Sequence, residues 1–218
     1  SQLGFGATMD FDDVTHKGIT NISTDDVAGA QEFGYVIKLV GDVREGESGI
    51  SAEVSPTFLP KNHPLASVND VMNAVFVESI GIGESMYYGP GAGQKPTATS
   101  VLADIIRIAR RLSDGNVGKP FNEFHRDLPL ANPADVKSNY YFALDTPDEK
   151  GKILHLSEIF NSEDISFEQV LQQKANGTTA RIVVITHAMS KTQLKAVTEK
   201  LEAAEDFPVV NTLKVLSN

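Results

Sequence analysis

Three observations predict an α+β fold with a mixed, largely antiparallel sheet for this chain of 218 residues. Apolar runs with strand character in the first half are joined by short polar turns, which is typical of antiparallel pairing. One long amphipathic helix pattern follows these strands, over residues 97–112. In the last third of the chain, strand and helix patterns follow the order βαββαβ, which is typical of the ferredoxin-like split unit. We therefore predict a first domain at 1–112, a linker at 113–137 and a second domain at 138–218.

The first half combines a short helix with four strands. A helix is predicted after Ser23 or Thr24, either of which can cap it, and Gly34 ends it. The predicted strands are 35–40, 50–59, 74–79 and 85–88. Residues 41–49 are polar and charged, which predicts a loop between the first two strands.

The second half alternates between the two periodicities. The predicted strands are 139–145, 165–173, 181–186 and 209–216. Helices are predicted at 153–160 and at 191–203, and Ser190 precedes the second of them as a capping residue.

The stretch from Tyr87 to Ala98 is rich in glycine and leads directly into the long helix. Glycine lets the backbone approach a ligand or another segment closely, and Pro96 fits the first turn of a helix. A helix N-terminus offers open amides and a positive dipole end, which favour a phosphate or carboxylate. The alternative stays open that the glycines only permit a tight junction between strand and helix.

The composition excludes several classes of protein. The net charge of −10 argues against nucleic acid as the main partner. The chain has no apolar run long enough to span a membrane, and it contains no Cys, so disulfides and thiolate metal sites are excluded. These features fit a cytoplasmic protein. No metal site is predicted, because the His residues lack paired ligand spacing, and Pro96 breaks the spacing of a phosphate-binding loop.

Five segments of the first half carry a family resemblance as a set. They are 11–22, 32–39, 56–66, 73–78 and the glycine turn at 88–98, which Ala103-Asp104-Ile105 follows. Together they resemble the substrate domain of homoserine dehydrogenase. This resemblance implies an enzyme that interconverts L-homoserine and L-aspartate 4-semialdehyde with NADP or NAD.

The resemblance also indicates what the 218 residues do not contain. Such an enzyme needs a Rossmann domain with a glycine fingerprint, and its catalytic Lys and acidic substrate ligands belong to a segment before the position of Ser1. We therefore expect a fragment with no catalytic residue of its own, inactive alone. The one cofactor-binding residue that the resemblance implies here is Gly93, the last glycine of the turn.

The βαββαβ pattern resembles the ACT domain, an amino-acid-sensing module. Asp148 and Gly151 match the module's first loop, whereas Lys150 stands where proline is usual. The resemblance implies an effector site at Asp148, Gly151 and Ile153, with L-threonine as the expected effector and a homodimer or higher homo-oligomer as the assembly. The alternative is a dimeric amino-acid sensor that has no catalytic partner domain.

Overall fold

The structure, a computed structural model, describes residues 1–116, 125–176 and 179–216. Its helices are α1 (Gln2–Phe5), α2 (Thr24–Glu32), α3 (Gln94–Ser113), α4 (Lys152–Asn161) and α5 (Lys191–Ala203). Its strands are β1 (Thr15–His16), β2 (Tyr35–Gly46), β3 (Gly49–Pro60), β4 (Met72–Ser79), β5 (Gly83–Pro90), β6 (Lys137–Pro147), β7 (Phe167–Asn176), β8 (Thr179–Thr186), β9 (Met189–Ser190) and β10 (Val209–Val215). The predicted α+β class is confirmed.

The described residues form two compact units. One unit joins residues 1–60 to residues 125–216, and the other holds residues 61–116. The predicted domain boundaries at 112 and 137 divide the chain into consecutive segments, whereas these units are defined by packing contacts. The predicted division stays a prediction. Part of the predicted linker, residues 117–124, lies outside the described residues.

The sheet of the first unit contains the predicted βαββαβ order. The four long strands of that segment stand as β10-β6-β8-β7, and each neighbouring pair is antiparallel. Numbered by their order in the chain, these strands stand in the sheet as fourth, first, third and second. The connection through α4 therefore passes over β8, and the connection through α5 passes over β6. This arrangement is the ferredoxin-like topology that the order of the elements predicts.

The β2–β3 hairpin is longer than the sequence predicts. Residues 41–49 were expected to form a loop, but β2 continues to Gly46 and β3 begins at Gly49, so the turn is only Glu47 and Ser48. The loop prediction is wrong because the charged residues of this stretch have partners. Asp42, for example, accepts a hydrogen bond from Lys214 at 2.7 Å, so its charge is compensated within a strand.

The hairpin belongs to the same sheet as the βαββαβ segment. Strand β10 pairs with β3 in parallel, with Lys214 opposite Thr57 and Val215 opposite Phe58. The Leu216 amide adds a hydrogen bond of 2.9 Å to the Phe58 carbonyl. Residues separated by more than half of the chain thus form one continuous sheet.

Two apolar cores lie on opposite faces of this sheet. Under α4 and α5, Phe142 meets Phe160 edge to face at 5.1 Å between ring centroids. On the other face, Tyr141 packs against Phe58 at 4.4 Å, and α2 contributes the buried Ala30. Alternation along β6 therefore supplies side chains to both cores, as the pleat of a strand requires.

The helices α2 and α5 begin where their capping residues predict. Ser23 accepts a hydrogen bond from the Asp26 amide, and the Asp26 carboxylate accepts one from the Ser23 amide. Ser190 and Gln193 form the same reciprocal capping box at the start of α5. Ser23 and Thr24 were both predicted as possible caps for α2, and in the structure the cap is Ser23.

The second unit consists of the β4–β5 hairpin, a short 3-10 turn at Pro64–Ser67 and the 20-residue helix α3. The two strands pair in antiparallel register from Met72 and Pro90 to Ser79 and Gly83. None of the α3 side chains is buried. Among the described residues, no helix is both long and apolar enough to cross a membrane.

Candidate functional site

The glycine turn connects β5 to α3 and forms the N-terminus of that helix. Gly93 is the residue before the first helical turn, and its φ of 123° lies in the region that favours glycine. The first intrahelical bond runs from the Thr97 amide to the Gly93 carbonyl at 3.1 Å. The amides of Gln94 and Lys95 therefore lie at the open, positive end of the helix dipole.

The three glycines of the turn have different reasons to be glycine. A Cβ at Gly91 would lie 2.4 Å from Cγ of Asn73, and the Gly91 amide donates to the Val71 carbonyl at 3.1 Å. Gly91 thus fixes the turn against β4. A Cβ at Gly93 would contact only Pro96, at 3.4 Å, so backbone conformation accounts for glycine there. Around Gly89 there is open space.

Two basic residues near this turn have distinct surroundings. Lys95 is exposed in the first turn of α3. The Nδ1 atom of His63 accepts a hydrogen bond from the Leu65 amide at 3.2 Å, and its ring packs on Phe76 at 4.9 Å. Burial lowers the pKa of His63 and outweighs the charge of Glu84, which raises it. His63 therefore caps the 3-10 turn as a neutral ring.

Of the predicted effector residues, Asp148 and Gly151 lie on the loop between β6 and α4, and Ile153 is the second residue of α4. Gly151 is the residue before the first turn of α4, with a φ of 90°, and a Cβ there would meet nothing within 4 Å. The His155 amide donates to its carbonyl at 3.0 Å, which leaves the amides of Lys152 and Ile153 at the open end of α4. The side chain of Ile153 is 42% exposed. The loop thus presents polar backbone groups on an accessible surface.

Asp148 lies on the same loop and has a weak neighbour. The Gln172 side-chain amide approaches its Oδ1 atom at 3.4 Å, near the upper limit for a hydrogen bond. Lys152 is bound elsewhere, to Asp206 at 2.9 Å and Glu149 at 3.6 Å. The hydrogen bond to Asp206 raises the pKa of Lys152 despite partial desolvation. Of the three acids Asp148, Glu149 and Asp206, Asp148 therefore makes the weakest contact within the described part of the chain.

A charged cleft of about 220 Å³ in the first unit was missed by the sequence interpretation. Its wall includes the buried Lys214 and the partly buried Asp42, Glu53 and Lys191, which come from four different elements. Lys214 pairs with both acids, at 2.7 Å and 3.5 Å, and Lys191 pairs with Glu53 at 2.9 Å. The sequence does contain one sign of this cleft, a lysine at position 214 inside an apolar strand. The neighbouring residues do not indicate which acids pair with that lysine.

Charge pairing dominates the acid–base properties of this cleft. Burial alone would raise the pKa of both acids, but the lysines and Arg44 hold the pKa values of Asp42 and Glu53 below their ordinary values. Burial, with a contribution from Glu53, raises the pKa of Tyr140 to about 12. Both acids are therefore ionised at neutral pH, and the tyrosine is protonated. No group of three or more potential metal-binding side chains occurs in the portion of the chain that the structure describes.

Comparisons with known sequences identify relatives along the whole chain. Residues 1–106 match the model of the protein family described as homoserine dehydrogenase. The homoserine dehydrogenase of Lactococcus lactis subsp. lactis is 57% identical over 218 residues, a match that covers 100% of this chain and 51% of that protein. The enzyme of the same description from Bacillus subtilis is 34% identical, with 98% of this chain and 49% of that protein covered. The chain thus spans about half the length of the curated relatives it matches.

Solved structures give the same result for the fold. A homoserine dehydrogenase from Thiobacillus denitrificans superimposes with a TM-score of 0.89 at 30% identity, covering 99% of this chain and 50% of that one. A Staphylococcus aureus homoserine dehydrogenase superimposes with a TM-score of 0.69 at 24% identity, covering 100% of this chain and 51% of that one. The second likeness concerns the fold alone.

Proposed function

Since this chain belongs to the homoserine dehydrogenase family, we propose that it supplies part of the substrate domain of such an enzyme together with an amino-acid-sensing regulatory unit. The complete enzyme would interconvert L-homoserine and L-aspartate 4-semialdehyde with NADP or NAD. The single observation that carries the proposal is the match of residues 1–106 to the family, with relatives that extend over the whole chain.

The glycine turn is the proposed contact with the cofactor. The open amides of Gln94 and Lys95 and the dipole of α3 favour a phosphate or another anionic group at this point. Gly93 has no side chain to obstruct such an approach. The proposed role of the turn is to form one wall near the cofactor, while the chemistry is performed by residues outside these 218.

The βαββαβ segment is the proposed regulatory unit, an ACT domain with its effector on the β6–α4 loop. The amides that follow Gly151 and the dipole of α4 suit the carboxylate of an amino acid. Asp148, which among the described residues has one long contact from Gln172, suits the ammonium group. Ile153, partly exposed in the first turn, supplies an apolar contact. Together these groups suit the two charges of an amino acid, and L-threonine is the proposed effector because of the resemblance to homoserine dehydrogenase.

We expect isothermal titration calorimetry to detect binding of L-threonine to this chain. The variant Asp148→Asn should bind about tenfold or more weakly, because the charge-assisted contact to the ammonium group is lost. Glu158→Gln, on the exposed side of α4, is the matched control and should bind like the unmodified chain. An absence of heat at millimolar threonine, or equal affinities for all three proteins, would count against the effector site.

We expect no hydride transfer from this chain alone. These 218 residues contain no glycine fingerprint for a dinucleotide, and the acid and lysine roles of the reaction are assigned to none of them. A spectrophotometric assay with L-homoserine and NADP or NAD should show no reduction of the cofactor above background. Reproducible turnover by the purified chain would refute this division of roles.

A homodimer or higher homo-oligomer is the proposed assembly. In the second unit, apolar side chains of β4 and β5 are open to solvent, among them Val75 at 61% and Tyr87 at 71%. The apolar stripe of α3 is also exposed, with Ile105 and Leu112 each at 57%. Exposed apolar surface of this kind supports burial against further protein, such as a second copy.

A further inference from the structure

The β2–β3 hairpin contains a pair of like charges that it cannot stabilise by itself. Asp42 and Glu53 stand directly opposite each other in the antiparallel register. Both are ionised, since charge pairing keeps their pKa values low. Like charges directly opposite each other in a sheet oppose strand pairing, and these two side chains are only 22% and 12% exposed. Arg44 of the hairpin contacts Asp42, whereas Glu53 is paired with cations from outside the hairpin.

One of these cations comes from the last strand of the βαββαβ unit. Lys214 on β10 is 7% exposed, and its Nζ atom lies 2.7 Å from Oδ2 of Asp42 and 3.5 Å from Oε1 of Glu53. A buried ammonium group placed between two carboxylates compensates both of them. Without Lys214, Asp42 would keep Arg44 and Glu53 would keep Lys191, but the cation that the two acids share would be lost.

Two further cations extend the network at its ends. Arg44 contacts Asp42 at 2.9 Å from β2, within the hairpin itself. Lys191 contacts Glu53 at 2.9 Å from the first position of α5. Lys214 is the member that touches both acids, and it belongs to the βαββαβ unit. Two lysines of the βαββαβ unit thus reach the hairpin acids, and Lys214 is the one that contacts both of them.

Few backbone hydrogen bonds join β10 to β3, so side-chain contacts contribute more to holding the two strands together. Strand β10 pairs with β3 at only two positions, Thr57 and Phe58. One further hydrogen bond joins Leu216 to Phe58. This short ladder and the shared core around Phe58 and Tyr141 join the two elements, and the compensation of Asp42 and Glu53 adds to that attachment.

We propose that Lys214 is a positioning residue through which the βαββαβ unit controls the β2–β3 hairpin. When β10 is in place, Lys214 neutralises the opposed acids and the hairpin is closed in its full register. When β10 shifts, the acids repel and the hairpin loosens. The consequence that an effector on the β6–α4 loop alters the hairpin rests on the proposed function, whereas the coupling itself does not.

Hydrogen–deuterium exchange on the full chain tests the coupling without any ligand. In Lys214→Met, amides of residues 35–60 should exchange about tenfold or more faster, because a buried charge partner is removed. Exchange in α4 should change by less than about twofold. Lys214→Arg should restore slow exchange, and Lys195→Met is the matched control, since Lys195 is 80% exposed on α5. Unchanged exchange of the hairpin, or equal acceleration of the hairpin and the whole βαββαβ unit, would overturn the proposal.

A charge-removal background separates electrostatic coupling from a packing effect. In the double variant Asp42→Asn with Glu53→Gln, the repulsion that Lys214 relieves is gone and Lys214 has lost its partners, so adding Lys214→Met should not accelerate hairpin exchange. If Lys214→Met alone does not fold, folding of the triple variant would support the proposal, and its failure to fold would contradict it. Absence of threonine binding would remove the proposed effector site and leave these outcomes unaffected.

Discussion

Gly49→Ala is expected to lower the free energy of unfolding of the first unit by about 3 kcal/mol. Gly49 has a φ of 135°, where a side chain is strained. A Cβ built there would lie 2.1 Å from the carbonyl oxygen of Pro129, which is a backbone atom with little freedom to move. The alanine must therefore displace either the hairpin turn or the segment around Pro129.

The displacement would also break hydrogen bonds on both sides of the contact. The Ile50 amide donates to the Pro129 carbonyl, and the Ala131 amide donates to the Ile50 carbonyl, both at 2.9 Å. The control is Gly46→Ala in the same hairpin, because a Cβ at Gly46 meets nothing within 4 Å. The stability of both variants is measured by urea unfolding, monitored by circular dichroism. A change within about 0.5 kcal/mol is expected for the control, and the same small change for Gly49→Ala would contradict the packing described.

Phe160→Ala is expected to cost about 3–5 kcal/mol of unfolding free energy, the usual range for removal of a buried aromatic ring. Phe160 is a residue of α4 and is fully buried. Its ring meets Phe142 at 5.1 Å and Phe167 at 4.9 Å, edge to face in both cases. The loss therefore includes these aromatic contacts as well as the buried area and the cavity left behind.

The same helix offers a matched control for this substitution. Leu154 is 65% exposed on α4, so Leu154→Ala should change the stability by no more than about 0.5 kcal/mol. Thermal or urea unfolding of the two variants should differ clearly in midpoint. Equal midpoints would mean that the core on this face of the sheet does not hold the chain together in the way described.

The elements of this fold were predictable where local residues determine them. The capping box of α5 needs only Ser190 and Gln193, and both lie in the sequence three positions apart. The βαββαβ order likewise depends on periodicity within short windows. A strand boundary shifted where side chains have partners from far along the chain, as for Asp42 and Glu45 of β2, which pair with Lys214 and Arg126.

The features that the sequence did not predict are long-range contacts. Parallel pairing of β10 with β3 joins Val215 to Phe58, and no local pattern encodes such a pairing. The charged cleft depends on Lys214 meeting Asp42 and Glu53 from distant strands. For the glycine turn, the sequence indicated the motif but could not separate Gly91, which packs on Asn73, from Gly93, which needs a positive φ.

The most direct test of the proposed function is a titration of the isotope-labelled chain with L-threonine, followed by nuclear magnetic resonance of the backbone amides. We expect saturable chemical-shift changes at Gly151, Lys152 and Ile153, the amides at the open end of α4. Asp148→Asn should reduce these changes at the same ligand concentration. An absence of shifts at millimolar threonine, or shifts confined to residues outside the β6–α4 loop, would contradict this expectation.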